Sequence, residues 1–174
     1  NRNGITIIHV THDYEEAISL ASKIGIMENG KLVQIASPVE IFKHPKSEFV
    51  AQFTGVKNFF MGELITIQGS DLKEFVSNGL KIFCLTDVED GEAFLMIQPD
   101  EISISNQVET GSTRNHFVGK ITYIAPAKLG MDIYVDIGCE MVVQISSDAR
   151  KSLRLEIGKE VWINFKASSC KIYN

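Results

Sequence analysis

The chain has 174 residues, 44% of them hydrophobic and 22% charged, with a net charge of −5, an isoelectric point near 5.4 and a mean hydropathy of +0.04. Those values fit a globular chain that buries a core as one domain plus a smaller element, or as two small domains, and they argue against non-specific nucleic-acid binding. No apolar run approaches the roughly 18 to 20 residues needed to cross a bilayer as a helix, and Cys84, Cys139 and Cys170 lie far apart without CxxC spacing, which speaks against a disulfide framework or zinc site and for reduced thiols in cytoplasm.

The chain starts at Asn1 without a leader-like basic and apolar stretch, and it reads as a piece of a longer protein. Ile5-Thr6-Ile7-Ile8-His9-Val10 is β-branched and almost continuously apolar, the pattern of a strand buried on both faces. Asp13 with Glu16 three residues later marks a helix start, and Tyr14, Ala17, Ile18 and Ala21 recur at helical spacing, predicting a helix over about 14–22. His12 then sits where a strand hands over to a helix, the edge of an α/β sheet at which ligands bind. Strands over 23–28 and 31–36 flank Asn29-Gly30, a hairpin turn. Ser37-Pro38-Val39-Glu40 starts a short helix that Pro45 stops, and a further helix runs from about 46 to 54.

From about residue 58 the pattern changes to short strands separated by turns. Met131, Ile133, Val135 and Ile137 alternate with Asp132, Tyr134 and Asp136, and Val161, Ile163, Phe165 and Ala167 with Trp162, Asn164 and Lys166, each giving a core face and a wetter face. Residues 147–155 form one short helix between them. The expected fold class is an α/β tail over 1–57 followed over 58–174 by a mainly-β barrel of the oligonucleotide/oligosaccharide-binding (OB) type, with possible lobes 58–105 and 113–174 but no evident internal repeat.

The run HVTHDYEEAISLASKIGIMENGKLVQIASPVEIFKHPKSEFVAQFTGVKNFF resembles the C-terminal part of the nucleotide-binding subunits of ABC-type importers, and the β-rich remainder resembles the TOBE accessory domain that follows it. The resemblance implies that His12 is the switch histidine, which contacts the γ-phosphate of ATP and helps orient the attacking water. It further implies a parent ATPase that uses ATP and magnesium and works at the cytoplasmic face of the membrane with a permease and an external binding protein. The phosphate-cradling GxxxxGK[ST] loop is missing, because Gly119-Lys120 and Gly158-Lys159 are followed by Ile121 and Glu160. By itself the chain is therefore not expected to bind or hydrolyse ATP. His9 reads as a packed strand residue, His44 as a helix terminus and Asp13 as a cap; a lone histidine at a strand end is by residue type alone more often structural.

Ser112-Thr113-Arg114-Asn115 and Phe165-Lys166-Ala167-Ser168 resemble two stretches of molybdate-binding accessory domains. A tetrahedral dianion is held best by donors, so the resemblance makes Ser112, Thr113, Arg114, Asn115, Lys166 and Ser168 a candidate site for molybdate or tungstate without a metal. The bland alternative is a polar lead-in to a strand. Gln98-Pro99-Asp100-Glu101-Ile102 departs from the family's usual arginine at Gln98. Three functions stay open: the ATPase subunit of a molybdate/tungstate-type importer with an anion-sensing β domain, an ATPase subunit for iron, a sugar or a polyamine whose β domain only dimerises or docks, and a stand-alone oxyanion module. A homodimer through the β domains is expected, with residues 1 to about 12 borrowed by a neighbour or poorly ordered.

Overall fold

The computed structural model describes residues 6–44, 46–47, 49–50, 57–108, 111, 113–127 and 129–173, and the chain divides into two compact units, Asn1–Gly55 and Val56–Asn174. In the first unit residues 6–10 form no strand, and Ile7, Ile8 and Val10 are 78, 89 and 90% exposed. The expected doubly buried strand is not formed, because β-branched residues make a ladder only beside a neighbour and the described strands of this unit pair only with each other. The expected α/β tail is thus reduced to short helices and a hairpin. His9 corrects the packed reading as well: its Nε2 lies 3.2 Å from Glu16 Oε1 with half of the ring exposed. The Thr11 hydroxyl first, and His9 after it, hold the Glu16 carboxyl below its usual range.

Local signals are met more closely. The Glu16 amide donates to Asp13 Oδ1 at 3.3 Å, capping α1 (Tyr14–Leu20). Strands β1 (Ile24–Glu28) and β2 (Lys31–Ala36) are joined by Asn29 and Gly30 at φ 48° and 76°, a turn whose twist matches that of the strands. Ser37 and Glu40 form a reciprocal capping box at the start of α2 (Pro38–Lys43), and His44 closes it. Buried Gln34 donates to the His44 carbonyl at 3.1 Å and accepts from the Lys46 amide at 2.8 Å, fixing the turn after α2. Ile26, Ile41 and Val50 make the small core of this unit. Of the helix expected over 46–54, Phe49 and Val50 are helical, while 51–54 lie outside the described residues.

The second unit comprises β3 (Asn58–Thr66), β4 (Lys73–Ser77), β5 (Leu80–Cys84), β6 (Gly91–Ile97), β7 (Ser103–Ser105), β8 (Asn115–Pro126), β9 (Met131–Asp136), β10 (Glu140–Ile145), helix α3 (Ser147–Leu153), β11 (Glu160–Phe165) and β12 (Lys171–Tyr173). The strands make two five-stranded antiparallel sheets, in the orders β12-β6-β3-β4-β5 and β7-β11-β8-β9-β10. The expected mainly-β unit is thus built from two five-stranded sheets. Each takes four strands from one stretch of chain and its edge strand from the other: β7 follows β6 in sequence but pairs with β11, and β12 follows β11 but pairs with β6.

Ladder for ladder the two sheets are the same, which corrects the expectation of no internal repeat. Asn58 opens β3 opposite Ile97, and Asn115 opens β8 opposite Phe165. Asn58 donates from Nδ2 to the carbonyls of Ile97 at 3.2 Å and Val142 at 2.8 Å and accepts the Val142 amide at 2.6 Å. Asn115 donates to the Phe83 carbonyl at 2.9 Å and accepts the Phe83 amide at 2.8 Å. Each asparagine therefore pins a strand of the opposite sheet. A 3-10 turn precedes each exchanged strand, Pro99–Glu101 and Ala167–Ser169, and the two turns meet where the Ser169 hydroxyl donates to Glu101 Oε2 at 2.7 Å. One continuous core lies between the sheets, built from Leu64, Phe75, Ile82 and Leu95 of the first and Ile121, Val135, Met141 and Ile163 of the second.

Two expected wetter positions are buried instead. Asp132 pairs with Lys57, and Asn164 is 1% exposed, lying 2.9 Å through Oδ1 from His116 Nδ1. Gly62 and Gly119 hold matching places in β3 and β8, where a Cβ would fall 2.2 Å from the Val76 carbonyl oxygen and 2.6 Å from that of Asp136. Backbone cannot yield as a flexible side chain can. Gly119→Ala is expected to cost about 1–3 kcal/mol, read as a lower urea midpoint with an unchanged slope, while Gly111→Ala, whose Cβ would meet nothing within 4 Å, leaves the midpoint in place.

Candidate functional site

Arg114 immediately precedes Asn115, and Lys166 immediately follows Phe165. Because Asn115 and Phe165 are cross-strand partners, the two cations extend the end of the β8–β11 ladder side by side. The 3-10 turn after Lys166 adds Ser168, and the Leu85 amide donates to the Ala167 carbonyl at 3.0 Å, holding that turn against the end of β5. The result is a shallow, open cleft of about 580 Å³ whose wall includes Arg114, Lys166, Ser168, Ser70, Leu72 and Leu85, with Asp71 beside them. Arg114, Lys166 and Ser168 are exposed, and among the described residues neither cation has an ion-pair partner.

Of the residues expected from sequence, the structure brings together Arg114, Lys166 and Ser168. Asn115 is corrected: it is 1% exposed and its amide is engaged by the Phe83 backbone rather than turned to the cleft. Thr113 is not among the lining residues, and its carbonyl oxygen lies 2.8 Å from His116 Nε2. Ser112 lies outside the described residues. Ser70, Asp71 and Leu72 in the loop after β3, and Leu85 after β5, carry no signal in the sequence that points to Arg114 or Lys166, and only the packing of the 3-10 turn on β5 connects them.

A planar guanidinium, an ammonium and a hydroxyl that line one open cleft can each donate a hydrogen bond, the requirement of a fully ionised tetrahedral anion. Asp71 sets a limit on the charge of the cleft. A second open cleft of about 710 Å³ lies beside α3 and carries Arg150, Lys151, Arg154 and Glu156. Among the described residues no group of three or more His, Cys, Asp or Glu is placed to hold a metal ion, and no helix is long and apolar enough to cross a membrane. Cys84 and Cys170 are buried free thiols. The Cys84 side chain first, then burial, push the Cys170 thiol far up, so Cys170 is not a poised nucleophile.

His12 is exposed and has no hydrogen-bond or ion-pair partner among the described residues. It stands one residue before the Asp13 cap of α1, where a side chain is free to reach a ligand. The sequence contains no GxxxxGK[ST] motif.

Comparison with known proteins bears on both units. Residues 111–172 match the TOBE domain family. The molybdate/tungstate import ATP-binding protein WtpC of Pyrococcus abyssi is 34% identical over 173 residues, 98% of this chain and 48% of that protein. The spermidine/putrescine import ATP-binding protein PotA of Trichormus variabilis is 37% identical over 124 residues, 68% of this chain and 32% of that protein. The chain thus spans about half the length, or less, of the curated relatives it matches. Among solved structures, the molybdate-bound form of the cytoplasmic molybdate-binding protein ModG matches with a TM-score of 0.57 at 16% identity, over 67% of this chain and 95% of that one, a likeness of fold. The chain carries a TOBE domain and is homologous to the C-terminal part of the ATP-binding subunits of molybdate/tungstate importers.

Proposed function

We propose that this chain serves as the C-terminal part of the ATP-binding subunit of an importer for molybdate/tungstate-type oxyanions, and that its β unit senses the anion in the cleft of Arg114, Lys166 and Ser168. The observation that carries the reading is the meeting of Arg114 and Lys166, more than fifty residues apart in sequence, at one ladder end with a hydroxyl and, among the described residues, with no ion-pair partner. In this reading Arg114 grips two oxygens of the anion, Lys166 supplies a point charge and Ser168 a hydroxyl donor. Asn115 acts behind the site by holding β5 in place. His12 serves as the switch histidine of a nucleotide site completed by residues beyond this chain, with ATP and magnesium as that site's ligands. The subunit works at the cytoplasmic face with a membrane permease, pairs with a second copy through its β unit, and relies on an external binding protein for capture.

Calorimetric titration with tungstate, molybdate and sulfate tests the sensing role. Saturable tungstate binding is expected, with Arg114→Ala and Lys166→Ala each lowering affinity by about 10- to 100-fold, the range of a lost charge-assisted hydrogen bond. Arg154→Gln in the α3 cleft should leave it unchanged. The relationship to PotA favours a second reading, an importer subunit for another substrate whose β unit is only a docking surface. Absence of tungstate binding to the chain would decide for that alternative.

A further inference from the structure

We infer that the chain holds one oxyanion and not two, because the second of its two equivalent clefts is closed by the chain's own ion pair, Lys57–Asp132. This rests on the proposed reading of the Arg114–Lys166 cleft, and it follows from the repeat in the fold.

Equivalent positions are read from the ladders. Asn58 opposite Ile97 and Asn115 opposite Phe165 make Lys57 the counterpart of Arg114, and Gln98 that of Lys166. Two residues further on, Asp100 in its 3-10 turn matches Ser168 in the other. The asparagine amides fix the remaining wall. Asn115 holds Phe83 and Asn58 holds Val142, so Phe83 and Val142 correspond. Two steps outward from them, Leu85 corresponds to Gln144. Lys73 opposes Cys84 and Ile133 opposes Val143, so the residues just before them, Leu72 and Asp132, correspond as well.

The exchange of residue types between the two positions reverses their chemistry. Where the first cleft has Arg114 and Lys166 against one carboxylate, Asp71, the equivalent positions of the second carry Lys57 against Asp132 and Asp100. The apolar wall residue Leu72 becomes a carboxylate that captures the lysine: Lys57 Nζ pairs with Asp132 Oδ2, and the Asp132 side chain is 6% exposed. Its other oxygen, Oδ1, is buried without a hydrogen-bond partner, so an entering dianion would meet lone pairs there instead of donors. Desolvating a dianion beside two carboxylates, one of which already engages Lys57, is unfavourable.

Tungstate titration of the intact chain, with stoichiometry counted per chain, tests this. The wild type is expected to bind one tungstate, and Arg114→Ala/Lys166→Ala to bind none detectably. Converting the second cleft to the residues of the first, by Lys57→Arg/Gln98→Lys/Asp100→Ser/Asp132→Leu, is expected to raise the count to two. Should that variant fail to fold by circular dichroism, the converse change decides: Leu72→Asp places the closing carboxylate beside Arg114 at a half-buried position and is expected to weaken tungstate binding at least tenfold. Two tungstates on the wild type, falling to one in Arg114→Ala/Lys166→Ala, would overturn the closed second cleft while leaving the sensing role intact. One tungstate that survives Arg114→Ala/Lys166→Ala would place the anion elsewhere and overturn both, as would no binding at all. A folded conversion variant that still binds only one, or a Leu72→Asp variant of undiminished affinity, would overturn the inference alone.

Discussion

Asn58→Ala is expected to destabilise the β unit by about 2–4 kcal/mol, one of the two largest losses expected from any single side chain described above. Asn58 is fully buried and joins β3 to Ile97 in its own sheet and to Val142 in the other through three hydrogen bonds. Truncation removes them and leaves the Val142 amide and carbonyl without the partner that met them, and an unmet buried backbone group costs about 1–3 kcal/mol. Alanine also leaves a small void in a close-packed interior. Asn58→Asp should be at least as harmful, since it turns a carboxylate oxygen toward two carbonyl oxygens. Asn115→Ala, with two bonds to Phe83 in place of three, should lose somewhat less. Urea unfolding followed by circular dichroism measures all of these; a loss below about 1 kcal/mol for Asn58→Ala, the net worth of a single hydrogen bond, would mean that the amide is not what holds the sheets in register.

Lys57→Met is the second. The lysine ammonium is the partner of a carboxylate that is 6% exposed and whose other oxygen is already without a donor. Removing one member of such a pair strands a buried charge, for which about 3–5 kcal/mol is typical. Replacing both members relieves the penalty, and the other half of the fold indicates how: Leu72 occupies the place equivalent to Asp132. Lys57→Met/Asp132→Leu is therefore expected to recover most or all of the lost stability, giving a large positive coupling in a double-mutant cycle by urea unfolding. If the two single losses simply add, the pair is not the unit described here.

What was legible in the sequence was local. The Asn29-Gly30 hairpin, the Ser37 capping box and the helix that became α3 are each decided by residues within a few positions of one another, and all three are present. The strand expected over residues 5–10 failed for the opposite reason, since its type was readable while the neighbour it required was not. The repeat is faint in the sequence because Asn58-Phe59-Phe60-Met61-Gly62 and Asn115-His116-Phe117-Val118-Gly119 share only an asparagine, a phenylalanine and a glycine. Those are the positions that pin, pack and allow close backbone approach. Arg114, Lys166 and Ser168 emerged from a family resemblance and proved to be neighbours. Asn115 did not join them, because an amide serves a backbone as well as it serves a ligand, and residue type alone does not distinguish the two. Leu72 and Leu85 carry no chemical signal of their own; their place in the cleft comes from the packing of distant segments.

The reciprocal exchange of β7 and β12 has a consequence for how such a unit is assembled. Neither half owns all the strands of its sheet, so a single half would show an unpaired edge beside β6 or β11 and would be completed by a second copy of itself offering its own final strand. Joining the halves in tandem turns that encounter into an intramolecular one. The partner strand is then present at an effective concentration set by the covalent link between the halves, independent of how dilute the protein is.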